Sequence, residues 1–454
     1  MAERLQMTDR VFIETTSAGS NLAVIKYWGK ADRKLNTPIN SSVSVALNQD
    51  DLCTVTTVAA SKAFTHDRLW LNGSEEDITN NKRVQTVLRE MRRLAQDRED
   101  ADGSVAVRKH EWSDGTYHIH IVSHNNFPTA AGLASSAAGY ACMTAALSHL
   151  FRCREAYPGE LSCVARQGSG SACRSMYGGF VRWQKGEKAD GSDSHAVQVA
   201  PPEHWPELQV LILVAGAEKK EVSSTSGMMT SVETSALLRH RAAELVEPKL
   251  RAIEDAYKRR DFAEFGRIAM ADSNQFHATC LDTYPPIFYM NDSSKMIVML
   301  VHKYNEAKGE VRAAYTFDAG PNAVIFVQKK DQAELLAFLL LALPPAAPSG
   351  PGAGARRAYV NDPELSRQAA AATPSLSPAL RAEAERRRVA GRLEYIMHTS
   401  VGTGPRKLSA SEALIDAATG LPRSDGRSDG NAAAPACRAA VLGFALLAAV
   451  SRVL

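Results

Sequence analysis

Two lysines and two aromatic residues stand together at the end of an apolar run, in SAGSNLAVIKYWGKAD near the N-terminus. Strand alternation places Lys26 and Trp28 on one face and Tyr27 on the other. Gly29 is expected to break the strand, since glycine readily adopts turn conformations. A turn there would bring Tyr27 and Lys30 into one pocket with Lys26 nearby, and so favour a polyanion site. Two solvated lysines beside a core tryptophan would give the same pattern, so this stretch alone leaves both interpretations open.

A run of small residues leads into a predicted helix in NNFPTAAGLASSAAGYACMTAALSHL, residues 125–150. A helix start offers unpaired backbone N–H groups and a positive dipole to a phosphate, and small side chains let the anion approach. No Gly-Lys-Ser/Thr follows, so the run is not a Walker A loop. The alternative is an ordinary capped core helix.

A second Gly/Ser-rich loop with an arginine occurs in RQGSGSACRSMYGGF, residues 166–180. Its guanidinium, Arg174, is suited to bidentate binding of a carboxylate or phosphate. One such loop is weak evidence. Two of them, together with the paired lysines, favour a cleft for an anionic ligand.

The bulk composition limits the possible functions. With 454 residues the chain is too long for one compact core, and a formal net charge of +3 gives no overall field that favours nucleic acid or an anionic membrane. Seven scattered cysteines without a CxxC pair suit a reducing compartment, and the first residues resemble no secretory signal, which predicts a cytosolic protein. The apolar C-terminal stretch 439–454 is too short for a membrane span.

Alternation and helical spacing predict an α+β chain with two lobes. Strands are expected over 11–60 and in YHIHIVSHNNF, QVLILV and AAYTFDAGPNAVIFVQ, and helices near 135–151, 232–271 and 290–307. We predict an N-terminal domain over 1–205 and a C-terminal domain over 206–405. The Pro/Ala-rich composition predicts a flexible low-complexity insertion at about 343–391, and 406–454 is predicted to be a disordered or loosely docked tail.

Five motifs together resemble the mevalonate diphosphate decarboxylase family: NLAVIKYWGK, NNFPTAAGLASSAAG, GSGSACRS, SNQFHATCLDT and YTFDAGPNAVIF. That family belongs to the superfamily of galactokinase, homoserine kinase, mevalonate kinase and phosphomevalonate kinase. The resemblance runs from about residue 11 to 328 and resumes faintly at 393–402. It implies a two-lobed small-molecule-kinase-like fold, with an N-terminal domain like domain 2 of ribosomal protein S5, a ferredoxin-like C-terminal domain and a deep cleft between them.

The resemblance implies ATP-dependent decarboxylation of mevalonate 5-diphosphate to isopentenyl diphosphate, in a cytosolic homodimer, with Mg²⁺ entering on the nucleotide and no protein metal site. The residues that it assigns to the substrate are Tyr27, Trp28, Gly29, Lys30, Arg83, Ser169, Gly170, Ser171, Ala172, Cys173, Arg174 and Thr225. Those that it assigns to ATP are Gly132, Leu133, Ala134, Ser135, Ser136, Ala137 and Ser224.

The resemblance also implies that Asp318, Lys26 and Arg174 are catalytic. Asp318 lies where a predicted strand breaks into AGPN, and its carboxylate could accept the proton of the substrate's tertiary hydroxyl as the γ-phosphoryl group arrives. Loss of phosphate and CO₂ would then form the alkene.

Two other functions stay open at this point. A small-molecule kinase of the same superfamily would stop after phosphorylation. A catalytically weak variant acting as a binding partner would follow if the divergent segment 330–392 has lost a packing helix.

Overall fold

A computed structural model describes residues 10–126, 135–216, 221–346 and 358–423, and all structural statements below concern these parts of the chain. Up to Ala200 the chain forms mainly strands, with helices inserted between them. In chain order these elements are β1 (Phe12–Gly19), β2 (Asn21–Ile25), β3 (Lys30–Asp32), β4 (Thr37–Pro38), β5 (Ser42–Ala46), β6 (Cys53–Ser61), β7 (Arg68–Leu71), β8 (Ser74–Glu76), α1 (Lys82–Leu94), β9 (Arg98–Glu99), β10 (Val105–Val107), β11 (His118–Asn125), α2 (Ser135–Leu150), α3 (Glu160–Gly168), α4 (Ala172–Ser175), β12 (Phe180–Trp183) and β13 (Ala196–Ala200).

The rest of the chain is mostly helical. A π-helical turn at Arg241–Leu245 joins two of its helices, α6 and α7. The elements are β14 (Leu208–Val214), α5 (Ser224–Thr234), α6 (Ala236–His240), α7 (Val246–Arg259), α8 (Phe262–Leu281), α9 (Asp292–Lys308), β15 (Ala313–Phe317), β16 (Ala323–Gln328), α10 (Gln332–Ala342), α11 (Pro363–Ala372), α12 (Pro378–Arg386), β17 (Tyr395–Ser400) and β18 (Arg406–Lys407).

Three larger sheets carry the described part of the fold. The first has the strand order β18-β1-β6-β11-β7-β8, in which β11 and β7 are parallel and the other pairs antiparallel. The second, β13-β12-β5-β2, and the third, β15-β16-β14-β17, are antiparallel throughout.

One apolar core joins the second sheet to the C-terminal half. Val24 and Val45 of the second sheet belong to the same buried cluster as Phe326 of the third. Phe180 of β12 stacks on Tyr257 of α7 with ring centroids 3.8 Å apart. Because close-packed interiors resist deformation, this core holds the two halves in a defined arrangement around the cleft between them.

The described part of 343–391 is helical, so the predicted flexible insertion is wrong there. Asp362 and Ser377 cap α11 and α12, and each helix begins with a proline. The first residues of a helix have no partner for their N–H groups within the helix. Proline, which has no N–H, therefore suits this position. Leu365 and Leu380 are buried as both helices pack on α10. The packing helix that the composition seemed to lack is present.

The predicted loose tail is also wrong for its described part, 406–423. β18 pairs with β1, and Ile415 is fully buried in a cluster with Phe64 and Trp70. The backbone N–H of Leu414 donates to a threonine hydroxyl of β6 at 2.8 Å. This segment covers one face of the first sheet while α2 covers the other, which explains why every residue of β6 is buried.

No helix within the described ranges is long and apolar enough to cross a membrane. The apolar stretch 439–454 lies outside those ranges. The boundary between the two lobes near residue 205 stays a prediction.

Candidate active site

Lys26 and Asp318 meet at the centre of the cleft. Lys26 follows the last residue of β2, and its side chain is 3% exposed. Its Nζ donates to Oδ1 of Asp318 at 2.5 Å. Asp318 directly follows β15, and its side chain is 30% exposed. The carboxylate is therefore held by a buried cation and is still open to a ligand in the cleft.

Tyr27 and Trp28 both follow the end of β2 and both line the cleft, so strand alternation does not decide their positions. The Tyr27 ring packs on Trp183 with centroids 4.6 Å apart. Its hydroxyl lines the cleft, is buried, and has no hydrogen-bond partner among the described residues. Burial raises the pKa of Tyr27 against the opposing effect of Arg174, so the hydroxyl stays protonated and can donate to an anion.

Trp28 lines the cleft, whereas Gly29 does not. Trp28 packs edge-on against Phe276 and Tyr289, and its indole N–H donates to Ser231 at 2.9 Å. Gly29 has φ +101°, and a β-carbon there would lie 2.7 Å from Cδ1 of Ile39. The strand already ends at Ile25, so the predicted break at Gly29 is wrong; Gly29 lies outside the cleft lining and turns the chain before β3.

Arg174 is a buried cation whose described partners are neutral. Its Nε donates to Asn21 Oδ1 at 3.1 Å and to Ser44 Oγ at 3.0 Å, and its Nη1 donates to Ser42 Oγ at 2.6 Å. The side chain is 3% exposed, and no ion pair joins it to a carboxylate in the described ranges. Burial lowers the pKa of Arg174, with Cys173, Asp318 and Tyr27 opposing that shift. A buried cation without a counter-ion favours an anionic ligand.

The loop before Arg174 divides into residues that face the cleft and residues that support it. Ser169, Gly170 and Ser171 line the cleft, whereas Ala172 and Cys173 do not. The Cys173 thiol donates to the Gly170 carbonyl at 3.1 Å, and burial raises its pKa to about 12. Cys173 therefore stabilises the loop and is not a nucleophile.

Lys30 and Arg83 form a second cationic group at the cleft mouth. Arg83 donates to the Thr225 hydroxyl at 3.2 Å, which links α1 to α5. Burial, together with Arg83 and Arg33, lowers the pKa of Lys30 to about 8. This unfavourable crowding of cations would be relieved by an anion.

The predicted nucleotide residues are only partly brought together. Ser135, Ser136 and Ser224 line the cleft, and Oγ of Ser136 lies 3.1 Å from Oγ of Ser169. Ala137 is fully buried and does not line it. Three of the residues assigned to ATP lie outside the described ranges: Gly132, Leu133 and Ala134.

The cleft has a volume of about 460 Å³. Several lining residues were not predicted. Asn21 could have been predicted, because it is the polar residue of an otherwise apolar strand, and the structure shows that strand to be wholly buried. The others have no signal that separates them from core or turn residues: Ala23, Asn36, Ser223, Met228, Phe276 and Ala319.

The cleft is lined by buried cations, hydroxyl groups and one carboxylate, a lining typical of an enzyme that acts on an anionic small molecule. Two family models match the chain: the diphosphomevalonate decarboxylase-like N-terminal domain over 18–196 and the mevalonate 5-diphosphate decarboxylase C-terminal domain over 210–408. The chain therefore belongs to the diphosphomevalonate decarboxylase family, as its motifs indicate.

Individual relatives agree with the family models. Diphosphomevalonate decarboxylase of Bos taurus is 49% identical over 91% of this chain and 98% of that protein. The solved mevalonate diphosphate decarboxylase of Trypanosoma brucei is 38% identical, with a TM-score of 0.78 over 89% of this chain and all of that chain. A structure described as MDDEF in complex with MVAPP, AMPPCP and magnesium is 29% identical, with a TM-score of 0.65 over 88% of this chain and all of that one. These matches confirm the predicted α+β fold.

Proposed function

We propose that the cleft converts mevalonate 5-diphosphate and ATP to isopentenyl diphosphate, ADP, phosphate and CO₂. The family of the chain supports this reaction. The observation that carries the assignment of residues is the Lys26–Asp318 pair, which faces a cleft that also contains Arg174, a buried cation whose hydrogen-bond partners are neutral.

Asp318 is the general base of this proposal. The tertiary hydroxyl of the substrate is a poor nucleophile, and a positioned carboxylate can accept its proton as its oxygen attacks the γ-phosphorus of ATP. Lys26 holds one carboxylate oxygen at 2.5 Å and brings positive charge close to the transferred phosphoryl group. The C–O bond of the new phosphate ester then breaks and phosphate leaves with its electron pair, while the C–C bond to the carboxylate breaks and supplies the pair that forms the alkene as CO₂ departs.

Arg174 holds the carboxylate that becomes CO₂, together with the serines of its loop. The guanidinium already donates to Asn21, Ser42 and Ser44, which fix its orientation before the substrate binds. Tyr27, Lys30 and Arg83 are positioned to hold the diphosphate. The unpartnered Tyr27 hydroxyl and the lowered pKa of Lys30 support this assignment. A bound phosphate would accept a hydrogen bond from the hydroxyl and would raise the pKa of Lys30.

The serines Ser135, Ser136 and Ser224 are the proposed contacts to the phosphates of ATP. The described residues contain no cluster of three or more His, Cys, Asp or Glu side chains that could hold a metal ion. Mg²⁺ prefers oxygen ligands and is commonly bound through substrate phosphates, where it neutralises their charge. The hydroxyl oxygens of these serines are Mg²⁺ ligands of the right kind, and the metal would enter with the nucleotide. A cytosolic homodimer completes the proposal.

Product analysis tests the reaction. Purified protein with Mg²⁺, ATP and mevalonate 5-diphosphate is expected to form ADP and isopentenyl diphosphate in equal amounts, measured together by mass spectrometry. ADP with a phosphorylated substrate and no alkene would identify a kinase. No turnover by a folded protein that still binds mevalonate 5-diphosphate would identify the binding-partner alternative.

The pH dependence of substrate binding follows from Lys30. Its pKa is about 8 in the free enzyme and rises when a diphosphate lies beside it, so binding takes up a proton above about pH 8. We expect KM for mevalonate 5-diphosphate to be lowest below about pH 8 and to rise as the pH increases through that value. The Lys30→Arg variant keeps its charge and should lose most of this rise. A wild-type KM that is constant between about pH 7 and pH 9.5 would contradict the assignment.

A further inference from the structure

Two adjacent residues of α8 hold the backbones of both members of the Lys26–Asp318 pair. The Asp272 carboxylate accepts the backbone N–H of Lys26 at 2.8 Å through Oδ2. The Ser273 hydroxyl accepts the backbone N–H of Phe317, the residue before Asp318, at 3.0 Å. Asp272 and Ser273 are 0% and 1% exposed. One rigid helix thus contacts the chain next to each catalytic side chain.

Asp272 is held by a network of its own. Arg241 donates to Oδ1 at 2.6 Å and to Oδ2 at 3.0 Å, and both side chains are fully buried. Burial raises the pKa of Asp272, but Arg241 and Lys249 outweigh it and hold the pKa below its ordinary value. The same guanidinium donates to the carbonyl of Lys26 at 3.1 Å. Both backbone polar groups of Lys26 are therefore tied to this ion pair.

Arg241 lies at an irregular point of the helical segment that carries it. Arg241 begins the π-helical turn between α6 and α7. π-turns are rare and occur frequently at functional sites. Among the described residues, Arg241 and Asp272 form a buried ion pair with no solvent exposure. Because such a pair is costly to desolvate, stability alone is a weak reason for it.

The backbone N–H of Phe317 pairs with the Ser273 hydroxyl because Phe317 lies on an edge strand. Within the described part of the chain, β15 is the outer strand of its sheet, and its one strand partner is β16. An edge strand leaves alternate backbone N–H groups without a strand partner. Ser273 pairs one of these groups at the point where β15 ends and Asp318 begins, and so fixes where the carboxylate leaves the strand.

We propose that Asp272 and Ser273 are positioning residues that set the distance between Lys26 and Asp318. They touch neither substrate nor nucleotide in this proposal and act only through the two backbones. The inference rests on the proposed roles of Lys26 and Asp318. Since misplacement of a reacting group by about 1 Å can cost ~10²-fold in rate, a small shift of either backbone would reduce turnover while leaving substrate binding intact.

The test removes the hydroxyl of Ser273 and compares it with a matched hydroxyl elsewhere. Ser162 on α3 accepts the backbone N–H of Ala196, in the outer strand β13, also at 3.0 Å and also from a site 1% exposed. Ser162 does not line the cleft. Ser273→Ala is expected to lower kcat about 10-fold with KM for mevalonate 5-diphosphate unchanged within about twofold, whereas Ser162→Ala should leave both constants unchanged. Thermal midpoints of both variants report the loss of stability.

The outcomes separate positioning from general destabilisation. An unchanged kcat in Ser273→Ala, or an equal loss in Ser162→Ala, would overturn the inference. Ser273→Cys keeps the size of the side chain with a weaker acceptor and should give an intermediate kcat. If Ser273→Ala does not fold, an unchanged kcat in Ser273→Cys decides against the inference. Full activity of Asp318→Asn would instead refute the proposed base, which is a different failure.

Discussion

The Asp318→Asn variant is expected to form isopentenyl diphosphate about 10³-fold more slowly than the wild-type enzyme. General-base catalysis is worth ~10²–10⁴-fold, and asparagine matches the shape of aspartate but cannot accept the hydroxyl proton. The loss should fall on kcat, since the proposed contacts to the substrate's diphosphate and carboxylate come from other residues. ADP and isopentenyl diphosphate should decline together, because phosphoryl transfer precedes decarboxylation. Single-turnover measurements of both products check this.

The control for Asp318→Asn is the same change at a carboxylate remote from the cleft. Asp292 at the start of α9 is 78% exposed and pairs only with Lys295 in the described structure. Asp292→Asn should leave kcat and KM unchanged. If Asp318→Asn kept more than about a tenth of the wild-type kcat, the carboxylate would not be the base. If it formed ADP at the normal rate without alkene, Asp318 would act after phosphoryl transfer.

Local sequence signals predicted the parts of the site that depend on local geometry. The apolar run before Lys26 forms a strand, Gly29 takes a turn conformation, and Arg174 follows a Gly/Ser loop at a short helix. Each of these needs only a few neighbouring residues to specify it. The family resemblance, and not periodicity, was needed to select Asp318 from the other aspartates, because its partner Lys26 is far away in the sequence.

Composition misled where long-range packing decides the structure. Prolines at the first positions of α11 and α12 resemble those of a linker until the capping Asp362 and Ser377 are considered. The segment 406–423 has little regular secondary structure, and it docks because its apolar side chains cover one face of the first sheet. Ser273 begins one of the five family motifs, but helical spacing shows neither its contact with the edge strand nor the contact of Asp272 with the Lys26 N–H, 246 residues away.

Arg174→Gln is expected to lower kcat/KM for mevalonate 5-diphosphate by ~10²–10³-fold, mostly through KM. Truncating one partner of a buried, hydrogen-bonded charge pair commonly costs ~2–5 kcal/mol, and in the complex the other partner would be the substrate carboxylate. Without substrate, the same change removes a buried cation that has no carboxylate partner in the described structure. Relief of that burial cost offsets the lost hydrogen bonds to Asn21, Ser42 and Ser44.

The ligand-free thermal midpoint of Arg174→Gln should therefore equal or exceed that of the wild-type protein, although activity is lost. A binding site that holds an unpaired buried charge lowers the stability of the free protein, so removing the charge can raise stability while it abolishes binding. The measurement is a pair of thermal melts, with and without saturating mevalonate 5-diphosphate, alongside steady-state kinetics. The substrate should raise the midpoint of the wild type strongly and that of Arg174→Gln only weakly, because stabilisation by a ligand follows its affinity. A large fall in the ligand-free midpoint with a normal KM would mean that Arg174 is a structural residue, and the carboxylate of the substrate would then have to be held by another group in the cleft.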